Sequence, residues 1–374
     1  MVKKEEMVVT PWEVRGKIDY EKLIEQFGIK PINKELLERI KKQTGELHYL
    51  LRRKIFFAHR DLDWLLDQYE KGNEFYLYTG RGPSGETHLG HLIPWVFTKW
   101  LQDKFNVELY FQITDDEKFL FKDNLSLNDT KTFAKSNILD IIALGFNPKK
   151  THIFLNTEYS KTLYKEALRV SKHLTFSTVK AVFGFTNENN VGEIFFTSMQ
   201  TVPAFLESVR KEKNVPCLIP LAVDQDSHFR ITRDILPKLG YYKPAIIHSK
   251  FMPGLKGVGK MSSSDLSDTI LTTDTEETVG WKISNAFTGQ QPTKELQRKL
   301  GGNPDICSIC QYYKFFFEPD DKKLDDIFRA EKEGTILAHE HKQDLTEKVN
   351  KFLKEHQKKR EIAKGRIEEF MLRD

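Results

Sequence analysis

Gly80-Arg81-Gly82-Pro83-Ser84-Gly85-Glu86-Thr87-His88-Leu89-Gly90-His91 decides how the chain folds, because an apolar, strand-like run (Phe75-Tyr76-Leu77-Tyr78) leads into it and a helical pattern over 92–105 leaves it. A strand, a glycine-rich turn and a helix together aim backbone N–H groups and the positive end of a helix dipole at a phosphate. The stretch also spells Gly80-x-Gly82-x-x-Gly85, the spacing of a dinucleotide-binding turn. Pro83 and the residues up to Thr87 delay the helix, however, so the third glycine has no helix to pack against. Asp103 falls at the end of the first helix instead of closing a second strand. A hydride-carrying cofactor is therefore a poor fit. His88-Leu89-Gly90-His91 instead sets two imidazoles, three residues apart, on one face of a helix start, beside a glycine that admits a ligand closely. Such donors suit a triphosphate whose charge grows during cleavage.

Outward from this turn, strand patterns recur at 107–113, 152–155, 217–223 and 245–248 with helices between them. That alternation predicts an α/β fold with a mostly parallel sheet covered on both faces. Ser126 and Asp129 cap a helix carrying Ile138, Ile141, Ile142 and Leu144, and Gly145 ends it. Residues 1–74 are expected to form a partly helical extension, with helical spacing over 35–44 and from Leu47 through Trp64 to Tyr69, stopped by Gly72-Asn73. Val8 to Val14 reads as a short strand packed on the body. Beyond 270 the strands stop, and helices are expected over 276–287, 293–300, 305–317, 321–332 and 335–371, with glycine-rich joints at 288–292 and 301–304. The chain thus divides into an extension (1–74), an α/β part carrying the strands (75–270), to which the resemblance given below assigns a Rossmann-like catalytic domain, and an all-helical C-terminal part (271–374).

Composition sets outer limits. Of 374 residues, 39% are apolar, enough for a sizeable core. Charged residues make up 30%, yet the net charge is only +4, so any nucleic-acid surface is a local patch and a DNA partner is not expected. Three cysteines and a start unlike a secretion signal point to the cytoplasm, and the longest apolar runs are too short to span a membrane.

Ligands of parallel sheets sit at the carboxyl ends of the strands. Tyr78 closes the first strand; Gln112, Thr114, Asp115, Asp116 and Glu117 close the second; Asp224, Gln225 and Asp226 follow a later one; and Gln200 ends an intervening segment. Each of these residues singly is an ordinary cap or turn residue. Amides, a phenol and a carboxylate converging on one crevice suit a zwitterion with a polar ring atom. Far along the chain, Gly257-Val258-Gly259-Lys260-Met261-Ser262-Ser263-Ser264 offers a glycine-flanked loop whose ammonium can neutralise phosphate charge in the transition state.

In this order, His88-Leu89-Gly90-His91 and Lys260-Met261-Ser262-Ser263-Ser264 resemble the two signatures of class I aminoacyl-tRNA synthetases. The stretches 78–84, Gln112-Ile113-Thr114-Asp115-Asp116-Glu117-Lys118 and Ala222-Val223-Asp224-Gln225-Asp226 are similar to the tryptophanyl-tRNA synthetases of archaeal and eukaryotic cytosolic type, over about residues 10–370. The resemblance implies a Rossmann catalytic domain, a helical anticodon-binding domain, a homodimer, and tryptophan, ATP with Mg²⁺ and tRNA(Trp) as substrates. It places Tyr78 and Gln112 at the indole nitrogen, with Glu117, Gln200 and Gln225 at the ammonium or carboxylate. ATP falls to Thr79, Gly80, Arg81, His88, Gly90, His91, Lys260, Met261, Ser262, Ser263 and Ser264, of which His88, His91 and Lys260 act in catalysis. Gln290 and Gln291 fall near the anticodon surface, where amides can read unstacked base edges.

Two departures accompany the resemblance. The spacer between Pro83 and His88 is one residue shorter than in eukaryotic members, and serines stand where the general class I pattern has a second lysine, as is usual in this subfamily. A tyrosyl-specific relative would need a partner for a phenol hydroxyl. A nucleotide-binding paralogue acting only as an RNA-binding or signalling module is disfavoured by the intact His88, His91 and Lys260. Lys149-Lys150 and the run Lys354, Lys358, Lys359 and Arg360, interleaved with Glu355 and Glu361, read as solvated faces, with tRNA-backbone contact as the alternative for the latter. Cys307-Ser308-Ile309-Cys310 has zinc-like spacing, but no second Cys or His pair of finger spacing accompanies it. Two partly buried thiols on a helix start, and no bound metal, are expected.

Overall fold

The computed structural model of the protein describes residues 7–11, 14–16, 18–257, 261 and 265–374. Lys260, Ser262, Ser263 and Ser264 lie outside the described residues.

Seven strands form one sheet: β1 (Lys30–Pro31), β2 (Phe56–Arg60), β3 (Tyr76–Arg81), β4 (Leu109–Ile113), β5 (Thr151–Leu155), β6 (Cys217–Ala222) and β7 (Ala245–Ser249). Their order is β1-β2-β7-β6-β3-β4-β5; the five from β7 to β5 run parallel, and β1 and β2 add an antiparallel edge. The expected strands form at nearly the expected places. β3 runs on to Arg81, three residues past the expected end at Tyr78 and two into the glycine turn. Chain connection reverses direction between β3 and β6, which opens a crevice at their carboxyl ends.

The helices used below are α1 (Leu89–Phe105), α2 (Asp115–Phe121), α3 (Leu127–Ala143), α4 (Val191–Met199), α5 (Asp226–Ile235), α6 (Glu276–Ser284), α7 (Asp321–Lys332) and α8 (Ala338–Ala363). The Ser126–Asp129 capping box starts α3 as expected, and Gly145 follows its end with φ +83°. One face of the sheet buries Leu77, Leu109 and Phe111 against Trp95 and Phe97 of α1 and Ile138 and Ile141 of α3, and this core continues to Tyr312, Leu345 and Val349 of the helical part. The other face packs Tyr76, Tyr78 and Tyr110 with Phe196 of α4 and Phe229 of α5.

The expected helix from Leu47 to Tyr69 is corrected. Only Tyr49–Arg52 and Leu62–Glu70 are helical, and β2 lies between them inside the main sheet. Lys54 (φ 52°) and Asp61 (φ 51°) take left-handed backbone on either side of β2. Phe56, Phe57, Ala58 and His59 are all buried there, so tertiary burial overrides the local helical spacing. Val8–Val9 and Val14–Arg15 pair as a two-residue hairpin, with Val9 and Val14 against the core around Phe57 and Phe251.

Beyond 270 the chain is helical, as expected, with shorter pieces. A π-helical turn at Tyr313–Phe317 follows the helix Ser308–Tyr312, and α8 ends at Ala363. The C-terminal tail then returns to the sheet. Ile153 N–H donates to the Phe370 carbonyl (2.8 Å) and Leu372 N–H to the Ile153 carbonyl (2.7 Å), which satisfies part of the open edge of β5.

Arg360, read as part of a solvated basic run, is buried. With His356 (Nε2 2.8 Å from Asp140 Oδ1), it closes on Asp140 of α3, and Arg360 also donates to Ser136 Oγ (3.1 Å). Burial pushes the Asp140 carboxyl up, but the hydrogen bonds from His356 and Arg360 outweigh it and hold the group below the usual carboxylate range. This cluster fastens the long C-terminal helix to the sheet layer.

Candidate active site

The crevice between β3 and β6 is a cavity of about 730 Å³. Tyr78, Thr79, Gly80, Arg81, His88, Gly90, His91, Gln112, Glu117, Gln200, Gln225 and Met261 all line it. Lines of sequence separated by more than a hundred residues thus meet at one place, the strand-end position expected of them.

Parallel register sets the floor: Gly80 lies opposite Gln112 across β3 and β4, and Gln112 opposite Phe154 across β4 and β5. Gly80 has a steric reason, since a Cβ there would stand 3.1 Å from the Gln112 carbonyl oxygen. From this register a chain of hydrogen bonds follows. Gln200 Nε2 donates to Tyr78 Oη (3.0 Å), Tyr78 Oη donates to Gln112 Oε1 (2.5 Å), Gln112 Nε2 donates to Asn156 Oδ1 (3.0 Å), and Asn156 Nδ2 donates to Asp116 Oδ1 (2.8 Å). Each link fixes the orientation of the next, so the phenol oxygen and the Gln112 carbonyl each keep one acceptor position. Burial raises the Tyr78 hydroxyl well above its ordinary value, which keeps it a neutral phenol. Asn156 was missed in the sequence, although it directly follows β5 and the strand-end rule covers it.

At the other end of α2's first turn, Glu117 accepts from Thr114 Oγ1 (2.6 Å) and pairs with Lys118 (2.6 Å). Burial pushes its carboxyl up, but the Lys118 ammonium and these hydrogen bonds outweigh it and hold the group ionised below the usual range. Asp116 behaves oppositely: burial, reinforced by Asp115, pushes it up to about 7. Lys118 belongs to the stretch 112–118 that carries the resemblance but drew no role of its own in the sequence. Its Cε would lie 2.2 Å from a Cβ at Gly82, so the glycine turn admits the lysine against its backbone. His228 of α5, also unforeseen, lines the cavity, and burial pulls it down to about 4, so it is a neutral imidazole. Gln225 Nε2 lies 3.5 Å from the Pro11 carbonyl, which brings the N-terminal hairpin to the rim. Pro11 and Val14 line the cavity, a nearer position than a strand merely packed on the body.

His88 is the N-cap of α1 and His91 its third residue. His91 Nδ1 accepts from the His88 backbone N–H (3.2 Å), and the two rings stack at 3.5 Å between centroids. A Cβ on Gly90 would stand 3.1 Å from the His88 ring and 3.4 Å from Met261 Sδ, which requires a glycine between the two histidines. Met261 Sδ also lies 3.3 Å from Gly90 N, and Thr272 N–H donates to the Thr87 carbonyl (2.9 Å). The two signature stretches therefore adjoin in space. Arg81 is a brace for the turn: it donates through Nε to Asn137 Oδ1 (3.0 Å) and reaches the Gly85 carbonyl (3.4 Å), while burial pulls its guanidinium down to about 10.

Two strand-end acids serve the framework. Asp226 accepts from Arg60 (2.8 Å, twice) and meets His248 Nε2 (2.8 Å), and Asp115 accepts from the Thr157 backbone (3.2 Å). Gln290 and Gln291 do not line the cavity. Gln290 Nε2 donates to Glu331 Oε2 (2.7 Å) and the Ile336 carbonyl (3.4 Å), and Gln291 Nε2 to the Gly301 carbonyl (2.9 Å), so each keeps its side-chain carbonyl to offer a base.

A family model described as tRNA synthetases class I (W and Y) matches residues 70–354. The chain belongs to this family. Among class I synthetases of this kind, the tryptophan–tRNA ligase of Pyrococcus furiosus is 54% identical to it over 98% of this chain and 94% of that one. The Plasmodium falciparum tryptophanyl-tRNA synthetase structure superposes with a TM-score of 0.89 at 42% identity, covering 94% of this chain and 97% of that one. A tryptophanyl-tRNA synthetase from Encephalitozoon cuniculi, solved bound to tryptophan, gives 0.87 at 38% identity, covering 95% and 98%. In this synthetase fold the crevice between β3 and β6 is where the first signature stretch, Met261 and the polar floor converge.

Proposed function

We infer that the chain is a tryptophan–tRNA ligase: it activates tryptophan with ATP to tryptophanyl-adenylate and pyrophosphate, then transfers tryptophan to its tRNA. The observation that carries the reading is the ordered chain Gln200–Tyr78–Gln112–Asn156 on the cavity floor, in a chain about half identical to tryptophan–tRNA ligases along nearly its full length. Indole N–H is a donor only, and the floor presents acceptors. Phenylalanine would leave them unpaired in a buried site, and tyrosine would bring an extra hydroxyl to them. Glu117, held ionised, takes the ammonium, with Gln200 and Gln225 beside it.

Thr79, Gly80, the N-terminus of α1 with His88, Gly90 and His91, and the loop bearing Lys260 and Ser262 to Ser264 take ATP. The tryptophan carboxylate attacks the α-phosphorus and pyrophosphate leaves. The chain's task is positioning and stabilisation of phosphate charge. Among the described residues, the lining carboxylates are Glu117, already paired with Lys118, and Asp224. That set suits a Mg²⁺ carried in by the ATP phosphates, where it neutralises charge on the leaving group. Catalysis belongs to the part spanning 75–270, and tRNA recognition to the helical part from 271, where Gln290 and Gln291 reach bases through their carbonyls. The active form is a homodimer in the cytoplasm; among the described residues no helix is long and apolar enough to cross a membrane.

ATP–pyrophosphate exchange with each of the twenty amino acids, on the chain without tRNA, tests the reading. Exchange with tryptophan alone is expected. Exchange with tyrosine instead would overturn the floor assignment and leave the reaction intact. A folded chain that binds ATP and exchanges with no amino acid would be a non-catalytic module.

A further inference from the structure

Cys307 and Cys310 flank the first turn of the short helix Ser308–Tyr312, and both are fully buried. The sequence offered them no partner pair. The fold does: Glu331 of α7 brings a carboxylate oxygen so that it and the two sulfurs all lie within 4.8 Å of one another. His341 of α8 stands behind the carboxylate, its Nδ1 3.3 Å from Glu331 Oε2. We propose that Cys307, Cys310 and Glu331 form a structural zinc site, with His341 supporting the carboxylate, that ties the helical part together.

Three observations support it. Glu331 is completely buried, and among the described residues its only ionic neighbour is His341. A bare carboxylate in that position is costly unless a cation joins it. Second, Glu331 Oε1 is buried without a hydrogen-bond partner. A buried polar atom left open on the ligand set is what an ion would satisfy. Third, the surroundings orient the set. Gln290 Nε2 donates to the other carboxylate oxygen, Glu331 Oε2 (2.7 Å), and a Cβ at Gly302 would stand 2.8 Å from Glu331 Oε1, so glycine leaves room for that oxygen. Tyr313 stacks on the His341 ring at 5.3 Å and holds its plane.

Two thiolates and a carboxylate, with a water in the fourth position, are donors of a tetrahedral Zn²⁺ site, and the two sulfurs disfavour the hard cations Mg²⁺ and Ca²⁺. Binding releases the two thiol protons to solvent. The ion would join the helix at 308–312 to α7, and Glu331 in turn meets His341 of α8. Gln290, seen in the sequence as an RNA-reading amide, then positions a ligand.

The test is elemental analysis of the full chain, expressed without a metal-binding tag and purified without chelator. About one zinc per chain is expected. Cys307→Ser and Glu331→Gln should each lose it, while Cys217→Ser, which alters the third buried thiol elsewhere, keeps it. Because a ligand variant can fail to fold, a second measurement uses the unaltered chain: zinc is exchanged for Co²⁺, and thiolate-to-cobalt charge-transfer absorption is expected. Chelator should lower the melting temperature, and added Zn²⁺ restore it. A folded chain holding no zinc and giving no cobalt band would overturn the proposal. So would zinc retained in both ligand variants, iron in place of zinc, or a Cys307–Cys310 disulfide in the protein as isolated.

Discussion

His91→Ala is expected to lower the rate of ATP–pyrophosphate exchange with tryptophan by about 10²–10³-fold, the loss typical of one preorganised donor facing a developing oxyanion. His91 lines the cavity on the first turn of α1, where its ring stacks on His88 and its Nδ1 accepts the His88 N–H. That bond places the ring proton on Nε2, the donor we propose for phosphate, since a neutral imidazole whose Nδ1 accepts carries its proton on Nε2. Two effects are removed together, and their magnitudes separate them. Loss of the capping contact costs about 1 kcal/mol of stability, whereas the rate loss corresponds to about 2.7–4 kcal/mol in the transition state. His91→Asn can keep the capping acceptor without an equivalent donor. It should melt close to the unaltered protein and remain slow in exchange. Recovery of the rate in His91→Asn would reduce His91 to a cap.

Asp140→Ala should destabilise the chain by about 3–5 kcal/mol, the cost of leaving buried charges without their partner. His356 and Arg360 both close on this carboxylate, and all three groups are buried. Urea unfolding would read the change as a lower midpoint at unchanged slope. The pH dependence has a definite sign. Asp140 is held below the usual range in the folded chain, so its stabilisation is fully present above the unfolded value of about 3.9 and is lost as the pH falls through the lowered folded value. Asp140→Ala should therefore flatten the acid limb of stability below about pH 4. An unchanged acid limb would remove the cluster from the account of how α8 is fastened.

Local patterns made the catalytic crevice legible. The strand before Gly80, the helix after His91 and the amides after later strands each follow from period, capping and turn chemistry, and parallel topology then compels strand ends to converge. Where the sequence misled, long-range burial was responsible. Phe56 to Arg60 sits within helical spacing, and only its place between β1 and β7 makes it a strand. Arg360 has the neighbours of a solvated run, and only Asp140, far earlier in the chain, buries it. Cys307 and Cys310 lacked a second pair because Glu331 follows no finger-like spacing; α7 delivers it beside them. Lys118 and His228 drew no role of their own because neither ends a strand nor sits in a glycine turn.

Gln112→Leu tests the central claim most directly, because leucine is close in size and removes the acceptor that we propose faces the indole while Tyr78 stays. The measurement is kcat/KM for ATP–pyrophosphate exchange with tryptophan, tyrosine and phenylalanine, in the unaltered chain and the variant. The unaltered chain is expected to reject phenylalanine by roughly 10⁴ or more. The variant should lose about 10- to 100-fold with tryptophan, the equivalent of a buried hydrogen-bond partner left unmet, and discriminate less against phenylalanine. Full tryptophan activity and unchanged discrimination in Gln112→Leu would contradict selection by the cavity floor.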